Sequence, residues 1–232
     1  MTIILVDIVF VIGAYLLGSL PVLYWIGRIK GFDLRQEDDI HQALWRKVGY
    51  AAGLSGILWD ILKGPIPPLI ARWLGFDVLI IGLSGLAVVS GQMWPVFDKF
   101  YGKERGNTTG IGASFGIAPL AMGLAVIPIA VGALMRLASS MRRHSEAVTD
   151  RLKFSGVSNS LPLGMLIGFA ILPLVAWRLH EDPVVMGTFV ALFALIIFRR
   201  LTADLGKDFE SDPRPRMASV LKNRFLYDRS YP

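Results

Sequence analysis

No cysteine occurs among the 232 residues. That excludes a disulfide, a thiol nucleophile and an acyl-thioester formed on the chain. Histidine is scarce too: His41, His144 and His180 fall in separate inter-helix stretches, so no metal site is expected. Charged residues make up 18% of the chain, against about 25% in an ordinary soluble domain. A cationic leader is also missing. Met1-Thr2-Ile3-Ile4 carries no basic residue, and Asp7 lies inside a first apolar run that is too long for the core of a signal peptide. That run is read as a membrane helix kept in the mature protein.

What is present is apolar surface, in long blocks. Hydrophobic residues are 53% of the chain, with apolar segments near 3–27, 50–71, 76–97, 112–135, 160–177 and 184–198. Each approaches the roughly 20 residues that cross a bilayer as a helix. A soluble core would spread its charges along amphipathic elements, whereas these gather between the runs. All 24 lysines and arginines except Lys63, Arg72 and Arg178 lie in four stretches: 28–49, 98–111, 136–153 and the tail from 199. Basic loops stay cytoplasmic. Segment 112–135 must then enter and leave on one side. Pro119 and Pro128, with Gly116, Gly123 and Gly132, suit a broken pair of short helices whose freed backbone groups are covered by protein. The alternative is one plain crossing that violates the charge rule. The expectation is an all-α polytopic transmembrane helix bundle of about seven membrane helices including that hairpin, N-terminus outside and C-terminus inside. The basic tail 201–232 is expected to be loosely ordered on the anionic inner leaflet, where each cation contributes about 1 kcal/mol.

Four places depart from plain membrane helix. Asp60 and Lys63 sit three apart within an apolar segment, on one helix face, where they can pair. Ionisable groups at that depth face protein or a water-filled cavity, so the pair is either a structural ion pair or a cation aimed at an anionic substrate. Next, Gly91-Gln92-Met93-Trp94-Pro95 leads to Gly102-Lys103-Glu104-Arg105-Gly106-Asn107-Thr108-Thr109 and an apolar helix. Glycines let backbone N–H groups approach an anion, and a helix N-terminus adds positive potential. Lys103, Arg105, Thr108 and Thr109 can donate to a phosphate. A flexible interfacial loop would look similar, and no nucleotide P-loop is present, because Asn107 follows Gly106. Third, Ile40, Leu44 and Val48 recur every four residues beside Trp45, which suits an amphipathic helix at the membrane interface. Fourth, Ser155, Ser158, Asn159 and Ser160 either line a site or cap the next helix.

These features occur in an order that resembles the bacterial acyl-phosphate:glycerol-3-phosphate acyltransferase (PlsY) family. The resemblance runs through Tyr15-Leu16-Leu17-Gly18-Ser19, Asp33-Leu34-Arg35, Leu44-Trp45-Arg46-Lys47-Val48-Gly49, Asp60-Ile61-Leu62-Lys63-Gly64, Gly91 to Phe97 with Gly102, and the serine-rich 154–160. It implies one membrane-embedded acyltransferase domain over 1–200. The implied reaction moves an acyl group from acyl-phosphate to glycerol 3-phosphate in the bacterial cytoplasmic membrane, giving lysophosphatidic acid for phospholipid biosynthesis. Its partners would be those two substrates and membrane lipids, with no cofactor, metal or nucleic acid. Lys63, Lys103 and Arg105 would bind phosphates, Gly102 and Gly106 would let the backbone close on them, and Thr108 and Thr109 would donate hydrogen bonds. Gln92 and Asp60 would orient substrate, with Arg46, Ser155 and Ser158 in secondary positions. The chain departs from the family pattern where Gln36 to Gln42 replace a Ser-Gly-Asn centre and Gln92 replaces a histidine. Glutamine cannot serve as a base near neutral pH. A catalytically inactive lipid- or acyl-phosphate-binding relative is therefore the alternative, and a small-anion transporter a further one without an inverted repeat to support it.

Overall fold

α1 (Thr2–Gly18) is apolar on every side, and such a helix needs either a protein core or lipid all round it. Ile4, Leu5 and Val9 remain more than half exposed, as expected for a lipid-facing surface. The computed structural model describes residues 2–34, 37, 40–100, 102, 104–141, 159–203 and 216–228, and every regular element among them is helical. Ser19 and Pro21 interrupt the chain before α2 (Val22–Ile29). Five stretches are long and apolar enough to cross a membrane: Ile4–Ile29, Val78–Asp98, Pro119–Ser139, Ser160–Arg178 and Pro183–Thr202.

After α2 the chain forms α3 (Ile40–Ala43), which continues into one π-helical turn, Leu44–Val48. Ile40, Ala43 and Leu44 bury against Leu23 and Leu34. The four-residue apolar spacing thus serves a small protein core in a short bent segment. Gly49, at φ 125°, then turns the chain into α4 (Tyr50–Lys63). α4 stops where Gly64-Pro65 begins α5 (Ile66–Trp73). Proline is tolerated in a first helical turn but cannot bond the carbonyl four residues back. The Ile61 carbonyl therefore lacks its usual donor, and Gly112 packs directly onto it: a Cβ there would lie 2.0 Å from that oxygen.

α6 (Val78–Met93) leads through a short 3-10 turn, Val96–Asp98, to the loop before α7 (Asn107–Ile117). α8 follows as Pro119–Met141. Residues 112–135 do not form two short helices. The break falls at Ala118, whose backbone is extended, and only the arm before it is short; the arm after it runs for 23 residues through Pro128. Gly132, Gly164 and Gly168 set the antiparallel seam between α8 and α9 (Ser160–Arg178), facing Ser160, Pro128 and Ala125 respectively. Small residues that allow backbones to approach are the usual glue of membrane bundles, since lipid removes the hydrophobic incentive. α10 (Pro183–Thr202) is capped by Asp182, whose carboxylate accepts from the Val184 N–H at 2.7 Å.

The principal core joins α6, α7, α8, α9 and α10 through Val88, Met93, Ala113, Met122, Phe169, Leu172, Phe189 and Ile196. The tail is not loose throughout. Residues 216–228 carry α11 (Met217–Tyr227), which packs on α9 and α10 and buries Val220 and Arg224.

Candidate functional site

Asp60 is the centre of a buried polar cluster. It stands at the end of α4, one turn before the Gly64-Pro65 break, and is 1% exposed. The Lys63 ammonium donates to Oδ1 at 2.7 Å, and Gln92 Nε2 of α6 donates to Oδ2 at 2.8 Å. His41 Nε2 lies 3.0 Å from the same Oδ2 and 3.5 Å from Glu104 Oε2. Thr109 of α7 donates its hydroxyl to the Asp60 main-chain carbonyl at 2.8 Å. Gly64 makes room for this, since a Cβ on it would meet the Thr109 carbonyl at 2.4 Å. The proline break thus brings α4 and α7 into backbone contact at the point where their polar side chains meet.

The ligand atoms of His41, Asp60 and Glu104 lie within 4.8 Å of one another, close enough to hold a divalent ion. Charge decides the reading. With His41 protonated, the imidazolium and the Lys63 ammonium balance the two carboxylates, and the short contacts are charge-assisted hydrogen bonds. Burial alone would lower the imidazole pKa. The Glu104 charge and the hydrogen bonds to Asp60 and Glu104 outweigh it, raising His41 well above its ordinary value near 6.5. A group with a raised folded-state pKa stabilises the fold fully below the unfolded pKa, and that contribution disappears as pH climbs through the folded value. The thermal midpoint in detergent is therefore expected to fall between about pH 6.5 and the alkaline range, where unfolded histidine has already lost its proton. His41→Asn should flatten that slope; an unchanged slope would show that His41 is not the group responsible.

A second cluster adjoins the first at the start of α7. Gly106 takes a left-handed φ of 71° and provides its N-terminal turn, packed against Met93. Arg105 Nε lies 3.0 Å from Asp228 Oδ1, and Asn107 donates to Asp228 Oδ2 at 3.0 Å. Arg200 is buried, its Nε 3.8 Å from the same carboxylate, and it donates to the Phe225 and Pro162 carbonyls at 3.2 and 3.1 Å. Arg199 donates to the Glu104 and Gly102 carbonyls and stacks 5.4 Å from the Trp94 ring centroid, a cation–π distance. Arg224 donates to the Ala203 carbonyl.

The structure thus brings together Asp60, Lys63, Gln92 and Thr109, with Arg105, Gly106 and half-buried Thr108 on the adjoining α7 entry. Gly102 sits against the end of α6 and against α10. Its Cα face packs on Met93 and Pro95, and its carbonyl is taken by Arg199. Arg46 lies apart, largely exposed and 3.4 Å from Glu37. Lys103, Ser155, Ser158 and His144 lie outside the described residues. His41, Glu104, Arg199, Arg200 and Asp228 belong to the clusters without having been singled out from sequence. The histidines do lie in separate stretches, but the bent 40–48 segment carries His41 to Asp60 and Glu104, a grouping that sequence separation does not show. Paired arginines ending an apolar helix were the available signal for Arg199 and Arg200, because cations there must find acceptors.

Fold and site define a multi-pass helical membrane protein with a buried charged cluster where two broken helical segments meet. The model of the family described as "Glycerol-3-phosphate acyltransferase" matches residues 8–207. A glycerol-3-phosphate acyltransferase of Geobacter metallireducens is 37% identical over 121 residues, 51% of this chain and 62% of the relative. Glycerol-3-phosphate acyltransferase 4 of Dehalococcoides mccartyi is 27% identical over 97% of this chain and 89% of its own. The crystal structure of the integral membrane acyltransferase PlsY in its glycerol 3-phosphate form superposes with a TM-score of 0.65 at 24% identity, covering 97% of this chain and 96% of that one. Its lysophosphatidic acid form gives 0.62 at 25% identity, over 90% and 94%. The chain belongs to the glycerol-3-phosphate acyltransferase family.

Proposed function

We propose that this protein transfers an acyl group from an acyl-phosphate to glycerol 3-phosphate, yielding lysophosphatidate and inorganic phosphate for phospholipid synthesis. The observation that carries the reading is the family match over residues 8–207, which spans the Asp60 cluster together with Arg105, Asn107, Arg199 and Arg200 of the second. A primary hydroxyl of the acceptor attacks the acyl carbonyl, the new ester C–O bond forms, and the acyl–phosphate C–O bond breaks. The bonding pair leaves with phosphate, which also takes the hydroxyl proton. Because the donor is an activated anhydride, positioning and cationic stabilisation can carry much of the rate. No cofactor enters this scheme.

Arg105 and Lys103 hold substrate phosphate at the α7 N-terminus, helped by Thr108 and the backbone released by Gly106. Lys63 and Thr109 fix Asp60, and Asp60 with Gln92 orients the acceptor. The Gln92 Oε1 is buried without a hydrogen-bond partner, an acceptor suited to a glycerol hydroxyl. Arg46, Ser155 and Ser158 serve secondary contacts. Counting α4 with α5, and α7 with α8 as a hairpin, gives seven crossings. With the basic connections inside, the N-terminus faces outward and the site opens to the bacterial cytoplasm, with residues 40–48 near the lipid interface. The test is the purified protein in bilayer discs, given long-chain acyl-phosphate and labelled glycerol 3-phosphate. Labelled lysophosphatidate is expected. Acyl-phosphate binding with no product would defeat the enzymatic reading.

A further inference from the structure

The Asp228 carboxylate is the only acid that touches Arg105, Asn107 and Arg200 among the described residues. It comes from the far end of the chain, 121 residues from Asn107. Asp228 closes α11 in a left-handed conformation, φ 54°. That geometry aims its side chain away from the helix and into the α7 entry, where its own exposure is only 9%.

The carboxylate matches this place poorly. It brings one negative charge to two guanidinium groups and the positive end of an 11-residue helix. α7 has no side-chain cap of its own at Gly106. The Arg200 side chain is fully buried, yet its Nε makes no aligned hydrogen bond; nor does Arg105 Nε. A buried donor left without an aligned acceptor is costly, so something with more oxygens is favoured here. A phosphate monoester dianion supplies both the second charge and the further acceptors, and arginine forks suit phosphate geometry.

We propose that Asp228 is an internal competitor at the α7 entry: in the ligand-free chain its carboxylate takes the phosphate position against Arg105, Asn107 and Arg200, and incoming phosphate monoester displaces it with the end of α11. The phosphate-binding part rests on the acyltransferase reading for its natural ligand; the internal competition does not. Asp228 then sets how much acceptor is needed, because a ligand entering an occupied site binds more weakly by the fraction of time the site is free.

The test is equilibrium binding of inorganic phosphate and of glycerol 3-phosphate to the full chain in bilayer discs, without acyl donor. Asp228→Asn keeps the side-chain shape and removes the competing charge. It is expected to tighten both ligands by about tenfold, within the usual range of allosteric couplings, while Arg200→Met weakens them. In turnover, Asp228→Asn should lower the KM for glycerol 3-phosphate and leave kcat unchanged. An unchanged or weakened phosphate affinity in a folded Asp228→Asn protein would overturn the competition. If that variant does not fold, the cysteine-free chain allows a spin label at Lys222→Cys with Asp228 intact. Saturating phosphate should then mobilise the label, and an immobile label at saturation would overturn the proposal equally. Tightening by Asp228→Asn in a chain that makes no lysophosphatidate would sink the acyltransferase reading and keep this one.

Discussion

Asp60→Ala is expected to destabilise the protein by about 3–5 kcal/mol, the usual result of removing one partner from a buried ion pair. Asp60 accepts from Lys63 and Gln92 and lies against His41. Its loss leaves the Lys63 ammonium, 2% exposed, without a counter-charge in the place where desolvation costs most. Repulsion between Lys63 and protonated His41 adds to that. Thermal unfolding in detergent should show the loss directly. Asp60→Leu combined with Lys63→Met should recover a substantial part of it, since an apolar pair of similar volume often replaces a buried ion pair without penalty. Equal stability of wild type and Asp60→Ala would show that the cluster is hydrated rather than buried.

Gly112→Val is expected to damage the fold comparably, by about 3 kcal/mol, at the upper end of what overpacking costs. A Cβ at 112 would sit 2.0 Å from the Ile61 carbonyl oxygen and 2.9 Å from the Pro65 ring. Neither neighbour can yield, one being backbone and the other a ring fixed in a helix turn. The α4–α7 seam must open, which pulls the Thr109 hydroxyl off the Asp60 carbonyl. Gly123→Ala is the matched control. Nothing lies within 4 Å of its added methyl, and alanine should stabilise that helix by about 0.5–1 kcal/mol. Similar melting of both variants would contradict the contact that joins the two broken segments.

Much of this architecture is legible in sequence, for identifiable reasons. Apolar runs of bilayer length announce α1, α6, α8, α9 and α10, because nothing else in lipid satisfies a backbone. The Asp60–Lys63 pair is legible because three residues place two side chains on one face. The proline break after Lys63 and the glycine-rich entry to α7 are legible from residue type alone. The position of the break in 112–135 is not legible in sequence, because glycine and proline recur there; the structure puts it at Ala118 and carries one helix on through Pro128. His41 is hidden for a different reason. Its neighbours Ile40 and Leu44 read as one amphipathic helix, whereas the π-turn and Gly49 fold the segment back over α4. Asp228 is beyond local reasoning altogether, since no periodicity links position 228 to position 107.

The most direct test compares wild type with Arg105→Ala in the lysophosphatidate assay at low glycerol 3-phosphate. Removing one preoriented cation from a site of this kind is expected to reduce kcat/KM by about 10²-fold, with the melting temperature little changed because Arg105 is partly exposed. Equal rates for the two proteins would contradict the placement of substrate phosphate at the α7 entry.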